Sequence, residues 1–171
     1  AKKGEWETGF EDYICARYCI GNDDINKKAM EAAYNASKIF RKTSLSTRKQ
    51  IFKDITDLLI KNKQKILDLM IVEGHPIKLA EWEYEGMLYM IESESTNFFK
   101  QKLFENLDTK KDKKTYSIRK PDGVLCIMPP KNAPLTSLIG ALALLSGNAI
   151  IIKPPIKMSI SSIFLWKMIA T

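Results

Sequence analysis

The chain has 171 residues, a formal net charge of +7, and 45% hydrophobic against 27% charged residues. These proportions exclude a disordered tail and fit a globular protein with room for one domain or little more. Its three cysteines make neither a disulfide framework nor a zinc set, so no metal is expected and the thiols point to a reducing cytoplasm.

Residues 1–21 are rich in aromatic side chains and have no clear period; no signal peptide is visible there. Asn22, Asp23 and Asp24 suit a helix start. Ile25, Ala29, Ala32, Ala33, Ala36, Ile39 and Phe40 then recur at spacings of mostly three and four, which predicts a helix over about 25–42 with a narrow alanine face. Ser44 to Ser46 interrupt it. Thr47 and Gln50 have the spacing of a capping box. Ile51, Phe52, Ile55, Leu58 and Leu59 carry a second helix over about 47–73, whose pattern slips near Asn62 and resumes at Ile66. Gly74 and Pro76 stop it. A third helix is expected over about 77–104, from Ala80, Tyr84, Met87, Leu88, Ile91, Phe98 and Phe99.

The net positive charge lies beyond residue 100, centred on Lys110, Lys111, Lys113 and Lys114. Only Tyr116 offers a ring nearby. The stretch therefore reads as a solvated strand edge, and nucleic-acid binding as the lesser reading. A strand follows over about 114–120, then a turn at Pro121-Asp122-Gly123. Val124 to Met128 is a continuous apolar run, as in a strand covered on both faces. Residues 135–145 read as an apolar helix, too short and too mixed for a membrane span. Gly147-Asn148 ends it, 149–153 is a second buried strand, and a further helix starts at 159. This βαβα order over about 123–171 implies an α/β fold: a helical N-terminal layer followed by the start of a Rossmann-like parallel sheet. Only two strands of that sheet are evident, as though it were cut off part-way.

Open parallel sheets bind ligands at the carboxyl ends of their strands. Here the first strand runs into Met128-Pro129-Pro130-Lys131-Asn132-Ala133-Pro134 and the second into Lys153-Pro154-Pro155. Two proline-stiffened loops with cations and one amide suit an anionic ligand such as a nucleotide; the alternative is that the prolines only stop strands. No GxGxxG, Walker loop or HExxH is present. His75 reads as a turn residue and Cys126 as inert packing in a buried strand. Cys15 and Cys19 lack a second pair for a metal. Glu81, Glu83 and Glu85 spread around their helix.

The run 119–135, with Pro121, Gly123-Val124 and Pro129-Pro130-Lys131-Asn132-Ala133-Pro134-Leu135, and the later Gly147-Asn148-Ala149-Ile150-Ile151-Ile152-Lys153-Pro154, resemble the aldehyde dehydrogenase superfamily. Its pattern there is P-x-G-V, I-x-P-W-N-x-P-L, a helix, then A-G-N-x-V-V-x-K-P. Arg48 resembles the family's upstream arginine. Gly74-His75-Pro76 resemble the end of its E-x-G-K-P, with Glu73 one place late. The resemblance covers about residues 25–171.

It implies the N-terminal part of the NAD(P)-binding domain of a longer enzyme, spanning residues 1–171. That enzyme would oxidise a small-molecule aldehyde through a cysteine thiohemiacetal and hydride transfer. Asn132 takes the position of the amide that binds the substrate carbonyl oxygen. Lys153 takes that of the lysine on the adenosine ribose. Met128, Pro129, Pro130 and Lys131 lie along the cofactor, with Pro155 grouped beside Lys153. The strand near 115–120 takes the place of a subunit-pairing segment, which implies a homo-oligomer, a dimer or tetramer. Lys131 and Ala133 stand where the family has Trp and Phe. The acid of K-P-S-E is replaced by Ile156 with Lys157 next, so NADP is at least as plausible as NAD. The nucleophilic cysteine, general-base glutamate and glycine-rich loop fall outside the chain, which alone should be inactive. A CoA-acylating branch, or a truncated non-catalytic interaction module, is the alternative.

Overall fold

The computed structural model describes residues 17–92, 97–98, 101–107, 115–157 and 159–170. Helix α1, Asp23–Phe40, opens at Asn22, whose side chain accepts the Ile25 N–H at 2.9 Å. Asp23 and Asp24 in its first turn complement the positive end of the helix. Its small face, Ala29, Ala32, Ala33 and Ala36, lines an apolar cleft of about 600 Å³ shared with Leu144, Ala149 and Ile151.

Helix α2, Leu45–Lys61, starts earlier than the capping-box spacing implied. Ser44 has extended backbone and its hydroxyl accepts the Thr47 N–H at 3.1 Å, so Thr47 is already helical. Gln50 instead donates its side-chain amide to Asp54 Oδ1 at 2.8 Å. The single helix expected over 47–73 is two. Asn62 leaves helical geometry at φ −107 and ψ 13, and its side-chain amide donates to the Leu58 carbonyl at 2.8 Å. Helix α3, Lys63–Val72, follows. It closes with Gly74 at φ 95, where the Gly74 N–H reaches Ile71 O at 2.9 Å and the His75 N–H reaches Met70 O at 3.0 Å. Both bonds belong to a Schellman close, which needs a residue at home in the left-handed region. Pro76 then starts α4, Ile77–Ile91.

The helix expected over 77–104 is interrupted after Ile91; residues 97–98 and 101–103 are again helical. Glu92 is extended, at φ −62 and ψ 167, and Phe104–Asn106 is strand β1. It pairs antiparallel with β2, Tyr116–Ile118, with the Phe104 and Tyr116 rings 5.0 Å apart. Phe104 thus meets a cross-strand ring in place of a helical neighbour. The lysine-rich stretch falls in 108–114, outside the described residues.

Strands β3, Val124–Ile127, and β4, Ala149–Ile152, pair in parallel, with Val124 opposite Ala149 and Ile127 opposite Ile152. The connection is not the regular helix expected over 135–145. It is a 3₁₀ helix, Pro134–Ala141, followed by one turn of α-helix, α5, Leu142–Leu145. Gly140 lets the 3₁₀ helix lie close on β3, since a Cβ there would sit 2.0 Å from Ile127 Cδ1. Among the described residues this sheet has two strands, so neither is flanked on both edges. Its side chains are only partly covered, and Cys126 is exposed. That corrects the expectation of a strand covered on both faces and of a buried thiol.

The core lies in the helical layer. Phe52, Ile55 and Leu59 of α2, Ile66 and Met70 of α3, and Tyr84, Met87 and Ile91 of α4 form one cluster. Leu138, Leu142, Leu145 and Leu165 join it, the last from α6, Ile160–Ile169. Buried Tyr84 donates its hydroxyl to Leu59 O at 3.1 Å, and burial raises its pKa. Among the described residues no helix is long and apolar enough to cross a membrane.

Candidate functional site

The parallel register brings the two strand ends side by side. The Lys153 N–H donates to Ile127 O at 2.9 Å, so the segments 128–133 and 153–155 leave one edge of the sheet together. Met128 is 72% exposed, and Pro130, Lys131, Asn132 and Lys153 are also exposed. Pro129 is buried and Pro155 half-buried, so both loops are rooted in protein by a rigid ring. An exposed amide and two exposed cations thus share an edge that carries no carboxylate between 128 and 133 or between 153 and 157.

The Schellman close of α3 aims one polar side chain at the start of α6 and another at the first of these loops. Glu73 is buried and its carboxylate accepts the Ser161 hydroxyl, the Ile160 N–H at 2.5 Å and the Ser161 N–H at 3.3 Å. It therefore satisfies the first free N–H groups of α6 and places negative charge at that helix's positive end. His75, two residues on, is 5% exposed, and its Nε2 lies 3.3 Å from the backbone oxygen of Asn132. Glu83 of α4 is also buried and places Oε2 3.7 Å from the same nitrogen.

Two further polar ties fix the turn before β4. Asn148 Oδ1 accepts the Gly123 N–H at 2.9 Å, and its Nδ2 donates to Ser146 Oγ at 3.1 Å, which joins the start of β3 to the end of α5. Arg48 reaches across from α2 and donates to Leu145 O at 2.5 Å and to Thr43 O at 3.0 Å. Burial lowers its pKa from the usual value. Gly147, at φ 89, closes α5 under that guanidinium, and a Cβ there would lie 3.0 Å from Arg48 Nη1.

Every residue that sequence reasoning placed in the site thus lies on the β3–β4 edge. The positioning pair Glu73 and His75 was not anticipated: one stood out only as an offset glutamate and the other as a turn residue. Their signal was two polar residues flanking a glycine at a helix end, which also describes an ordinary exposed turn. Among the described residues, no group of three or more His, Cys, Asp or Glu gathers as for a metal ion.

A parallel strand pair with α1 on one side, a 3₁₀ helix on the other and cation-bearing loops at its carboxyl edge defines an α/β, Rossmann-like fold. The model of the Aldehyde dehydrogenase family matches residues 10–171, and the chain belongs to that family. It is 28% identical over 135 residues to mitochondrial succinate-semialdehyde dehydrogenase of Rattus norvegicus, covering 75% of this chain and 25% of that protein. Among solved structures it is similar to the glyceraldehyde-3-phosphate dehydrogenase GapN of Methanocaldococcus jannaschii, complexed with NADP. The TM-score there is 0.82 at 22% identity, over 92% of this chain and 35% of that one. It is also similar to an NAD-dependent benzaldehyde dehydrogenase of Corynebacterium glutamicum, with TM-score 0.80 at 19% identity, over 99% of this chain and 37% of that one. The chain spans about a quarter of the length of the curated relatives it matches.

Proposed function

We propose that this chain supplies the carbonyl-binding amide and part of the dinucleotide site of an NAD(P)-dependent dehydrogenase that oxidises a small-molecule aldehyde. One observation carries the reading: the parallel pairing of β3 and β4 sets the Asn132 loop and Lys153 on the same edge. The exposed Asn132 amide is a donor for the carbonyl oxygen of an aldehyde. It gains strength as that oxygen becomes an oxyanion in the thiohemiacetal formed by a cysteine nucleophile.

The residues present fit a dinucleotide. Lys131 and Lys153 are exposed cations with no carboxylate in their loops, and buried Pro129 stiffens the wall they share with Met128 and Pro130. When bound, the nicotinamide accepts the hydride that leaves the aldehyde carbon. Lys153 and Pro155 hold the cofactor at the end of β4, Lys153 through its ribose hydroxyls. With Ile156 and exposed Lys157 where an acid would repel a 2′-phosphate, NADP is accepted at least as well as NAD. The NADP bound by the similar archaeal protein supports this. The β1–β2 hairpin supports a homo-oligomeric assembly. The free, exposed thiols of Cys19 and Cys126 support a reducing, cytoplasmic setting.

The test is aldehyde-dependent reduction of NAD and NADP by the longer enzyme to which this chain contributes. Asn132→Ala should lower kcat by about 10²–10³-fold while the cofactor KM holds. Lys153→Met should raise the cofactor KM. Full activity in Asn132→Ala would overturn the role of the amide. A clear preference for NAD would overturn the cofactor assignment.

A further inference from the structure

We infer that His75 is a positioning residue for Asn132: a buried imidazole on the α3–α4 turn grips the backbone of the loop that presents the amide. The inference rests on the proposed role of Asn132 in binding the aldehyde oxygen.

The geometry is specific. His75 is almost wholly enclosed, with its side chain 2% exposed. Its Nε2 stands 3.3 Å from Asn132 O, and a carbonyl oxygen only accepts, so Nε2 carries the hydrogen and donates. Among the described residues buried Nδ1 has no hydrogen-bond partner, and the ring's hydrogen bond there runs through Nε2. The Glu83 carboxylate at 3.7 Å is beyond hydrogen-bond reach, but its negative charge favours an N–H on the side that faces it. A buried ring with one committed donor is an expensive device for closing a turn, since its polar atoms are taken from water. The position it fixes explains its presence.

Asn132 is exposed, and the segment 130–132 is exposed throughout, so apolar packing does not hold this amide in place. Such loops open at little cost unless tied. A catalytic donor must sit within a fraction of an ångström of its productive place, and misplacement by about 1 Å can cost 10²-fold in rate. The His75 bond anchors the peptide group of the very residue whose side chain has to be aimed. Glu73, at the other side of Gly74, grips α6 and so the far end of the loop that follows Lys153. One turn thereby ties both loops through separate side chains, which supplies an internal control.

The experiment compares His75→Phe, His75→Gln and Glu73→Gln in the longer enzyme to which this chain contributes, by steady-state kinetics and by amide hydrogen exchange. Phenylalanine keeps the ring's shape without the donor; glutamine restores an N–H at about the reach of Nε2. His75→Phe should lower kcat by about 10- to 100-fold with the cofactor KM unchanged, and should speed exchange in 128–133 while leaving 159–163 protected. His75→Gln should return both readouts most of the way to the starting protein. Glu73→Gln should loosen 159–163 and spare 128–133. Unchanged exchange at 128–133 in His75→Phe would overturn the inference. So would a folded His75→Gln that fails to rescue, or equal loosening of 128–133 in Glu73→Gln. If the starting protein oxidises no aldehyde, the functional reading fails, and the exchange results alone decide whether His75 holds the loop.

Discussion

The helical layer and the β3–β4 edge are built on opposite principles. In the layer, Leu59, Met70 and Leu165 are 0% exposed and pack into one cluster. Each such side chain contributes about 1.5–3 kcal/mol by leaving water. At the edge, Met128, Lys131, Asn132 and Lys153 stand in solvent, and the loops there are held by a few polar ties from His75 and Glu73, while Asn148 ties the opposite, amino ends of the strands. A hydrogen bond of that kind nets about 0.5–1.5 kcal/mol, somewhat more when one partner is charged. Cohesion is therefore concentrated in the helices, and the residues proposed for chemistry are positioned by a few directional contacts. The helices can tolerate little loss of volume, whereas the edge can change its exposed side chains at little cost in stability and its ties hardly at all.

Substitutions that separate burial from positioning can break this contrast. The largest effect on stability is expected from Leu59→Ala, which removes a fully enclosed side chain from the centre of the cluster and should cost about 2–5 kcal/mol in urea denaturation. Arg48→Met comes next. It keeps much of the stem but leaves the Leu145 and Thr43 carbonyls without their charged donor, an expected loss of about 1.5–3 kcal/mol by the same measurement. Ser44→Ala removes the acceptor for the Thr47 N–H at the start of α2 and should cost about 1 kcal/mol. Thr47→Ala tests the same helix start from inside the first turn and should cost less, because Ser44 and not Thr47 is the cap. Met128→Ala, at an exposed position, should stay within about 0.5 kcal/mol of the starting protein. A loss at Met128 as large as that at Leu59 would show that the edge is part of the packed body, and the division into two regions would fall.

Much of this organisation could be read from the residues themselves. The spacing of Phe52, Ile55 and Leu59 marks a helical face that is packed into the core, whereas that of Ala29, Ala32, Ala33 and Ala36 marks one that lines a cleft, with Ala33 buried and Ala32 and Ala36 exposed. The slip at Asn62 coincides with the break between α2 and α3. Gly74 and Gly147 stand where helices close in the left-handed region. The shortfalls have a common form. Phe104 fits a helical stripe as well as it fits a strand, and only Ile118 and Tyr116 across the ladder select the strand. The apolar composition of 135–145 does not distinguish an α-helix from the tighter 3₁₀ form, which the close approach at Gly140 to Ile127 accompanies. Cys126 lies in an apolar run, yet what packs over its face of the sheet, and not the run, sets its exposure.

The sequence by itself determined the family, the parallel strand–helix–strand order and the placement of Asn132 and Lys153 at strand ends. These follow from local patterns: periodicity, turn residues and short motifs are written in neighbouring positions. Only the tertiary structure decided that Glu73 and His75 tie the loops at that edge and that Arg48 holds the turn before β4. Their partners, Ile160 and Ser161, Asn132 and Leu145, are remote in the chain. A buried polar side chain takes its meaning from the one atom that satisfies it, and that atom is chosen by how the elements pack.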